Sequence, residues 1–160
     1  MATIQETFAR LATLDMIEAG KPASKEEVQQ IEAALGIVLP DQYVKFLNRF
    51  GSVRSFGWQI LGTRPVRPAA SRPTTLTQDC VQVTTEQRKN GNLLGTASLP
   101  PAHVVISQDG GGGNIVLFGV GAPHEGEVHY YNFEDRAEPI RVWKTFQDYL
   151  EDRIAEAGGR

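Results

Sequence analysis

The first fifty residues place apolar side chains three and four positions apart, which is the spacing of one helical face. Three such stripes follow one another along this segment. They consist of Ile4, Phe8, Leu11 and Ala12, then of Val28, Ile31 and Leu35, and then of Tyr43, Phe46, Leu47 and Phe50. The pattern therefore predicts three amphipathic helices, each with one buried face.

The ends of the second and third helices are also marked in the sequence. Ser24 followed by Glu27 is the spacing of a capping box, and Gly36 is placed where a helix ends in a left-handed residue. Pro40 suits the first turn of the third helix, where its missing N–H leaves no hydrogen bond unmade. Gly51 ends that helix.

Beyond Gly51 the apolar residues come in short runs between turn residues, which is typical of strands. We predict strands over residues 58–61, 103–107, 115–120, 128–133 and 140–143, the later ones as an antiparallel meander. Residues 79–89 predict a short helix with Val81 as its apolar contact, and Asn90-Gly91 predicts a turn after it. Three Arg-Pro pairs in residues 63–73 favour an extended loop.

A closing helix is predicted from Thr145, with Asp148 in capping-box position. Its buried face consists of Phe146, Tyr149, Leu150 and Ile154. Helices, then a meander, then a helix predict an α+β domain in which N-terminal helices and a C-terminal helix pack on a central antiparallel sheet. We expect a single domain over residues 1–160, with the first helix, in residues 1–20, either part of it or an extension.

Composition and charge narrow the class of protein. The chain has 160 residues, a net charge of −3 and 41% hydrophobic residues, which is typical of one globular domain and not of a basic nucleic-acid binder. Cys80 is the only cysteine, so an internal disulfide is excluded and a reducing compartment is favoured. The N-terminus does not resemble a secretory signal, and the apolar runs are too short to span a bilayer. We therefore expect a cytoplasmic protein.

Neither a cofactor nor a metal site is predicted. The glycine run 110–113 is followed by a strand pattern, so a hairpin turn is favoured over a phosphate cradle, which requires a helix N-terminus. The histidines His103, His124 and His129 do not show the spacing of metal ligands. The sequence also lacks a nucleophile elbow, so an enzyme is not expected.

Five segments in order resemble the SUKH superfamily of SMI/KNR-type proteins. The first is the LP-x-x-Y-x-x-F-L segment from Leu39 to Leu47, closed by Gly51, and the second is the strand 58–62. A middle segment with Asp79, Val81 and Thr84 leads to Leu99-Pro100. The last two are the hairpin with Asp109, Gly113 and Asn114, and the helix start with Trp143, Phe146 and Leu150.

The resemblance implies an immunity protein that binds and neutralises a secreted or contact-dependent bacterial toxin without catalysis. The toxins met by this superfamily are mostly nucleases and other nucleic-acid-modifying enzymes, and its members have many partners. The alternative is a regulatory scaffold of the same fold that binds endogenous proteins. In either case the expected partner is a protein.

Acidic residues of the meander are the first candidates for the partner-binding surface, because acid groups facing the basic cleft of a nuclease speed encounter. We expect Glu125, Glu127, Glu134 and Asp135 to cluster if their two loops are neighbours, and otherwise to be solvated turn residues. Asp109 and Trp58 are further candidates. For Trp58 a place in the core is at least as well supported as a place in an interface.

Overall fold

The computed structural model describes residues 1–55, 57–63, 79–94, 102–109, 113–132 and 138–158, with the backbone alone for residues 90–94. Within these residues the chain forms five helices and seven strands, which confirms the α+β prediction. The helices are α1 (Ile4–Ala12), α2 (Lys25–Leu35), α3 (Asp41–Phe50), α4 (Cys80–Leu94) and α5 (Phe146–Gly158). The strands are β1 (Glu18–Ala19), β2 (Val53–Ser55), β3 (Trp58–Ile60), β4 (His103–Gln108), β5 (Asn114–Phe118), β6 (Val128–Tyr131) and β7 (Arg141–Trp143).

The predicted ends of α2 are confirmed. The Ser24 hydroxyl accepts a hydrogen bond from the Glu27 N–H at 3.1 Å, and the Glu27 carboxylate accepts one from the Ser24 N–H at 3.2 Å. Gly36 follows the helix with a φ of 68°, a backbone conformation that glycine adopts without strain. Helix α1 begins with a second capping box, formed by Thr3 and Glu6, which the sequence analysis did not predict.

The strands form two antiparallel sheets, β1-β2-β3 and β4-β5-β6-β7. A hydrogen bond from the Leu61 N–H to the Ile106 carbonyl oxygen, 2.7 Å long, links the first sheet to β4 of the second. Asn114 pairs with Gln108 and opens β5, so the glycine run lies in the connection of a hairpin, as predicted. The short strands β1 and β2 were not predicted, because two or three residues carry no readable periodicity.

The predicted turn at Asn90-Gly91 is wrong, because α4 continues through these residues to Leu94. Gly costs about 1 kcal/mol relative to Ala inside a helix, so tertiary contacts have to supply the difference. The Arg88 guanidinium donates hydrogen bonds to the carbonyl oxygens of Leu35 at 2.9 Å and His103 at 3.1 Å. These bonds fix the helix between α2 and β4 just before the glycine.

Several predictions fall outside the described residues. They include the Arg-Pro pairs of the 63–73 loop, Leu99-Pro100, the end of the third meander strand at Phe133, and the candidate residues Glu134 and Asp135. No helix in the described part of the chain combines the length and the apolar composition that a bilayer crossing requires.

An aromatic cluster from α1, α3 and α5 forms the centre of the core. Phe8, Tyr43, Phe46 and Phe146 are almost fully buried. The Phe146 ring lies 5.3 Å from the Tyr43 ring and 5.4 Å from the Phe46 ring, both in edge-on contact. Helix α5 links this cluster to the second sheet, because it also contacts β7.

Candidate functional site

The connection between β5 and β6, residues 119–127, is a compact turn held by its own backbone. The Gly126 N–H donates to the Phe118 carbonyl oxygen at 3.0 Å, and the Glu127 N–H donates to that of His124 at 2.9 Å. Gly121 and Gly126 have φ angles of 86° and 77°, which side chains other than glycine rarely adopt. The turn therefore presents its side chains in a fixed arrangement.

The β5–β6 turn packs against the residues that join α2 to α3. The Val120 N–H donates to the Val38 carbonyl oxygen at 2.8 Å. Both valines nevertheless expose their side chains, at 57% for Val38 and 50% for Val120. They line an open groove of about 350 Å³ together with Glu32, Gly36, Ile37, Ala102, Gly121 and Ala122. We call this feature the valine groove.

Beside the groove, three ligand-type side chains meet at one point. Nε2 of His129 lies 2.8 Å from Oε2 of Glu127, and Nδ1 of His124 lies 3.2 Å from the same oxygen. The three side chains each offer a ligand atom, and these atoms all lie within 4.8 Å of one another. This His-Glu-His cluster, His124, Glu127 and His129, has the composition of a divalent-metal site.

Contacts with Tyr131 and Phe118 orient the histidine rings of the cluster. Nδ1 of His129 lies 3.0 Å from the Tyr131 hydroxyl. The Phe118 ring lies 4.8 Å from the His129 ring and 5.5 Å from the His124 ring. His129 is almost completely buried, Glu127 is mostly buried and His124 is half exposed. The cluster thus opens to solvent on the His124 side.

Electrostatics keep the Glu127 carboxyl ionised. The hydrogen bond with His129 lowers its pKa, burial partly opposes this, and the charge of Lys144 adds to the lowering. Burial raises the pKa of the Tyr131 phenol, and the Glu127 charge raises it further, so this hydroxyl stays protonated. An anionic oxygen and two imidazoles therefore face one another.

The model of the SMI1 / KNR4 family (SUKH-1) matches residues 22–152. The chain belongs to this family. The match begins after β1 and ends within α5, so α1 precedes the SUKH-1 region in sequence while packing against α5. No curated protein matches the chain closely enough to count as a relative.

The predicted partner-binding carboxylates of this SUKH-1 domain differ in the hydrogen bonds and ion pairs that they make within the domain. Glu125 is exposed, and its carboxylate accepts one hydrogen bond from the Gly121 N–H at 2.9 Å. Glu127 is engaged by both histidines of the cluster. Asp109 accepts from the Gly113 N–H at 2.8 Å and also from the Tyr130 hydroxyl, so it closes the β4–β5 hairpin.

The expected clustering of the four carboxylates stays a prediction, because two of them, Glu134 and Asp135, lie outside the described residues. Strands β5, β6 and β7 are antiparallel neighbours, so the β5–β6 turn lies at the Val128 end of β6. The described flanks of the β6–β7 connection lie at the Tyr131 end. The described residues that flank the two connections therefore lie at opposite ends of β6.

Trp58 is half-buried in β3, opposite Ser55, and packs against the edge of the core. Its position combines the two alternatives that the sequence left open, since part of the ring is covered and part faces solvent.

The His-Glu-His cluster was not predicted from the sequence, because its three residues share no single helical or strand periodicity. His124, Glu127 and His129 are three and two residues apart, with Gly126 between the first two. The tight turn runs directly into a strand and thereby brings the three side chains together. A His-x-x-Glu-x-His pattern containing a turn glycine was the available signal.

Proposed function

We propose that the chain is an immunity protein that binds the toxic domain of a secreted or contact-dependent toxin, of the nuclease class, in the cytoplasm of the producing cell. It would neutralise the toxin by covering its surface and not by catalysis. The family match over residues 22–152 carries this proposal, since the fold is one that the SUKH resemblance associates with toxin immunity.

The valine groove is the surface that best suits a protein partner. Exposed apolar side chains grouped around a groove are typical of interaction sites, whereas scattered ones are ordinary. Val38 and Val120 are grouped in this way by the hydrogen bond between their backbones. The groove would form the centre of an interface of about 800 Å² per partner, with polar residues around it.

Glu125 supplies charge complementarity at the rim of this surface. It is exposed and lies on the same turn as Val120. A nuclease binds its polyanionic substrate in a basic cleft, and a carboxylate at the rim attracts such a cleft over several ångströms. Glu127 and Asp109 contribute less to steering, because their carboxylates already have partners within the domain.

The test is co-expression with the toxic domain of any secreted or contact-dependent toxin that is encoded next to the gene for this chain, with growth and the dissociation constant as readouts. Wild type is expected to restore growth and to bind one to one. Val120→Asp, which places a charge in the groove, is expected to weaken binding at least about 30-fold, which corresponds to roughly 2 kcal/mol.

Ile140→Asp is the matched control. Ile140 is 52% exposed, close to the 50% of Val120, and lies beside Tyr130 beyond the opposite end of β6. We expect this variant to bind as wild type does. Equal affinity for both variants would remove the groove from the interface, and a wild-type chain that neither binds nor protects would refute the immunity function.

A further inference from the structure

We propose that His124, Glu127 and His129 form a binding site for one divalent transition-metal ion of the zinc class. This inference goes beyond toxin binding and rests on different residues from the valine groove. Two imidazoles and one carboxylate with an open fourth position are a donor set that Zn²⁺ accepts readily.

The three ligand atoms lie close enough to take up an ion through side-chain movements of about an ångström. Ligand atoms around a tetrahedral Zn²⁺ lie about 3.4 Å apart, given bonds of about 2.1 Å. Oε2 of Glu127 lies 2.8 Å from His129 Nε2 and 3.2 Å from His124 Nδ1, and the whole set falls within 4.8 Å. Taking up an ion would widen the two Glu127 distances by about 0.6 Å and about 0.2 Å and bring the two histidine nitrogens, which lie within 4.8 Å of each other, closer together.

The Tyr131 hydroxyl can accept a hydrogen bond from the His129 tautomer that metal binding needs. With the imidazole proton on Nδ1 of His129, the ring donates to the Tyr131 oxygen 3.0 Å away, and Nε2 offers its lone pair to the ion. Without the ion, the proton on Nε2 is donated to Glu127 instead. An outer hydrogen bond of this kind orients ligating histidines in metal sites generally.

Burial also suits a bound ion. His129 is 4% exposed and lies against Phe118, whereas His124 is 47% exposed at the surface of the turn. An ion would therefore enter from the His124 side and keep one position open to water or to a ligand from a partner protein. Such an ion would tie the β5–β6 turn to β6.

Lys144 is the group that opposes a cation here. Its Nζ lies 3.8 Å from Oε1 of Glu127 and is 83% exposed. It contacts the carboxylate oxygen that does not face the histidines, so it leaves the ligand position open. Its charge weakens cation binding modestly, since it is largely screened by water.

Titration calorimetry of the full chain with ZnCl₂, after chelator treatment and removal of any histidine tag, tests the site. We expect one Zn²⁺ per chain with micromolar or tighter affinity. Glu127→Gln and His124→Ala are each expected to weaken binding at least about tenfold. Because His124 is exposed, its removal should leave the fold intact, which circular dichroism checks.

Glu138→Gln is the matched control for the carboxylate, since Glu138 is exposed and lies near the opposite end of β6. It should bind Zn²⁺ as wild type does, and Lys144→Met should bind about twofold more tightly. The visible absorption of a Co²⁺ complex gives the coordination number directly.

Absence of stoichiometric Zn²⁺ binding, or equal affinity in His124→Ala and wild type, would overturn the metal site. Neither result affects the test of toxin binding, because the dissociation constant for the toxin is measured with metal-free protein. Conversely, a chain that binds Zn²⁺ but no toxin refutes only the proposed immunity function.

Discussion

The backbone of Gly62 lies directly against the carbonyl oxygen of Gly51. A Cβ atom at position 62 would lie 1.8 Å from that oxygen and 2.7 Å from Cδ2 of Leu47. The Thr63 N–H donates to the same carbonyl oxygen at 3.0 Å, so the chain after β3 is joined to the end of α3 at this point. Only a residue without a side chain permits the contact.

Gly62→Ala is therefore expected to lower the free energy of unfolding by about 3 kcal/mol or more, because backbone must move to make room. Chemical denaturation measures this. Gly158→Ala, where nothing lies within 4 Å of the added Cβ, serves as the control and should change stability by less than about 0.5 kcal/mol. A similarly small change in the free energy of unfolding for both variants would show that position 62 has room for a side chain beside the Gly51 carbonyl oxygen.

The Cys80 thiol is expected to be unreactive in the native protein. The pKa of this thiol is raised to about 12, chiefly by burial and also by the Asp79 charge, against the opposing hydrogen bond with Tyr43. Since the thiolate is the reacting form, a disulfide reagent at pH 8 should label Cys80 only at the rate at which the domain opens. Rapid labelling that does not depend on denaturant would contradict this.

Glu151 should make stability depend on pH in the acid range. Burial would raise the pKa of its carboxyl, but the hydrogen bonds from Thr7 and Arg10 prevail and lower it. A lowered pKa contributes stability above the unfolded-state value of about 4.3 and loses it as the pH falls through the folded-state pKa. Glu151→Gln is thus expected to cost about 1 kcal/mol at pH 7 and progressively less below pH 4.

Thermal unfolding of wild type and Glu151→Gln between pH 2.5 and pH 7 measures the difference. The exchange Glu86→Gln, at an exposed carboxylate, is measured under the same conditions for comparison. A difference between wild type and Glu151→Gln that stays constant with pH would mean that the hydrogen bonds to Glu151 do not distinguish its charged form.

If Glu125 steers a basic toxin, Glu125→Lys should slow association several-fold at low salt, with a smaller effect on dissociation. The effect should shrink as salt approaches 0.5 M, because the Debye length falls to a few ångströms. Stopped-flow mixing with the toxin domain measures both rates. Glu138→Lys makes the same charge change near the opposite end of β6 and should associate as wild type does.

The amino-acid sequence by itself determined the elements whose causes are local. The stripe of Val28, Ile31 and Leu35 and the Ser24–Glu27 capping box specify α2 within a dozen neighbouring residues. The apolar run after Asn114 likewise indicated a strand and favoured a hairpin turn over a phosphate cradle. Periodicity and capping act over one or two turns, so they can be read without knowledge of the fold.

Tertiary structure decided what depends on residues distant in sequence. Helix α4 passes through Asn90-Gly91 because Arg88 reaches Leu35 and His103, and α1 is anchored because Thr7 bonds Glu151, 144 positions away. Strand order placed the β5–β6 turn and the flanks of the β6–β7 connection at opposite ends of β6. The same turn brought His124 onto Glu127 and His129, since the direction of a side chain depends on how the backbone folds back and not on residue type alone.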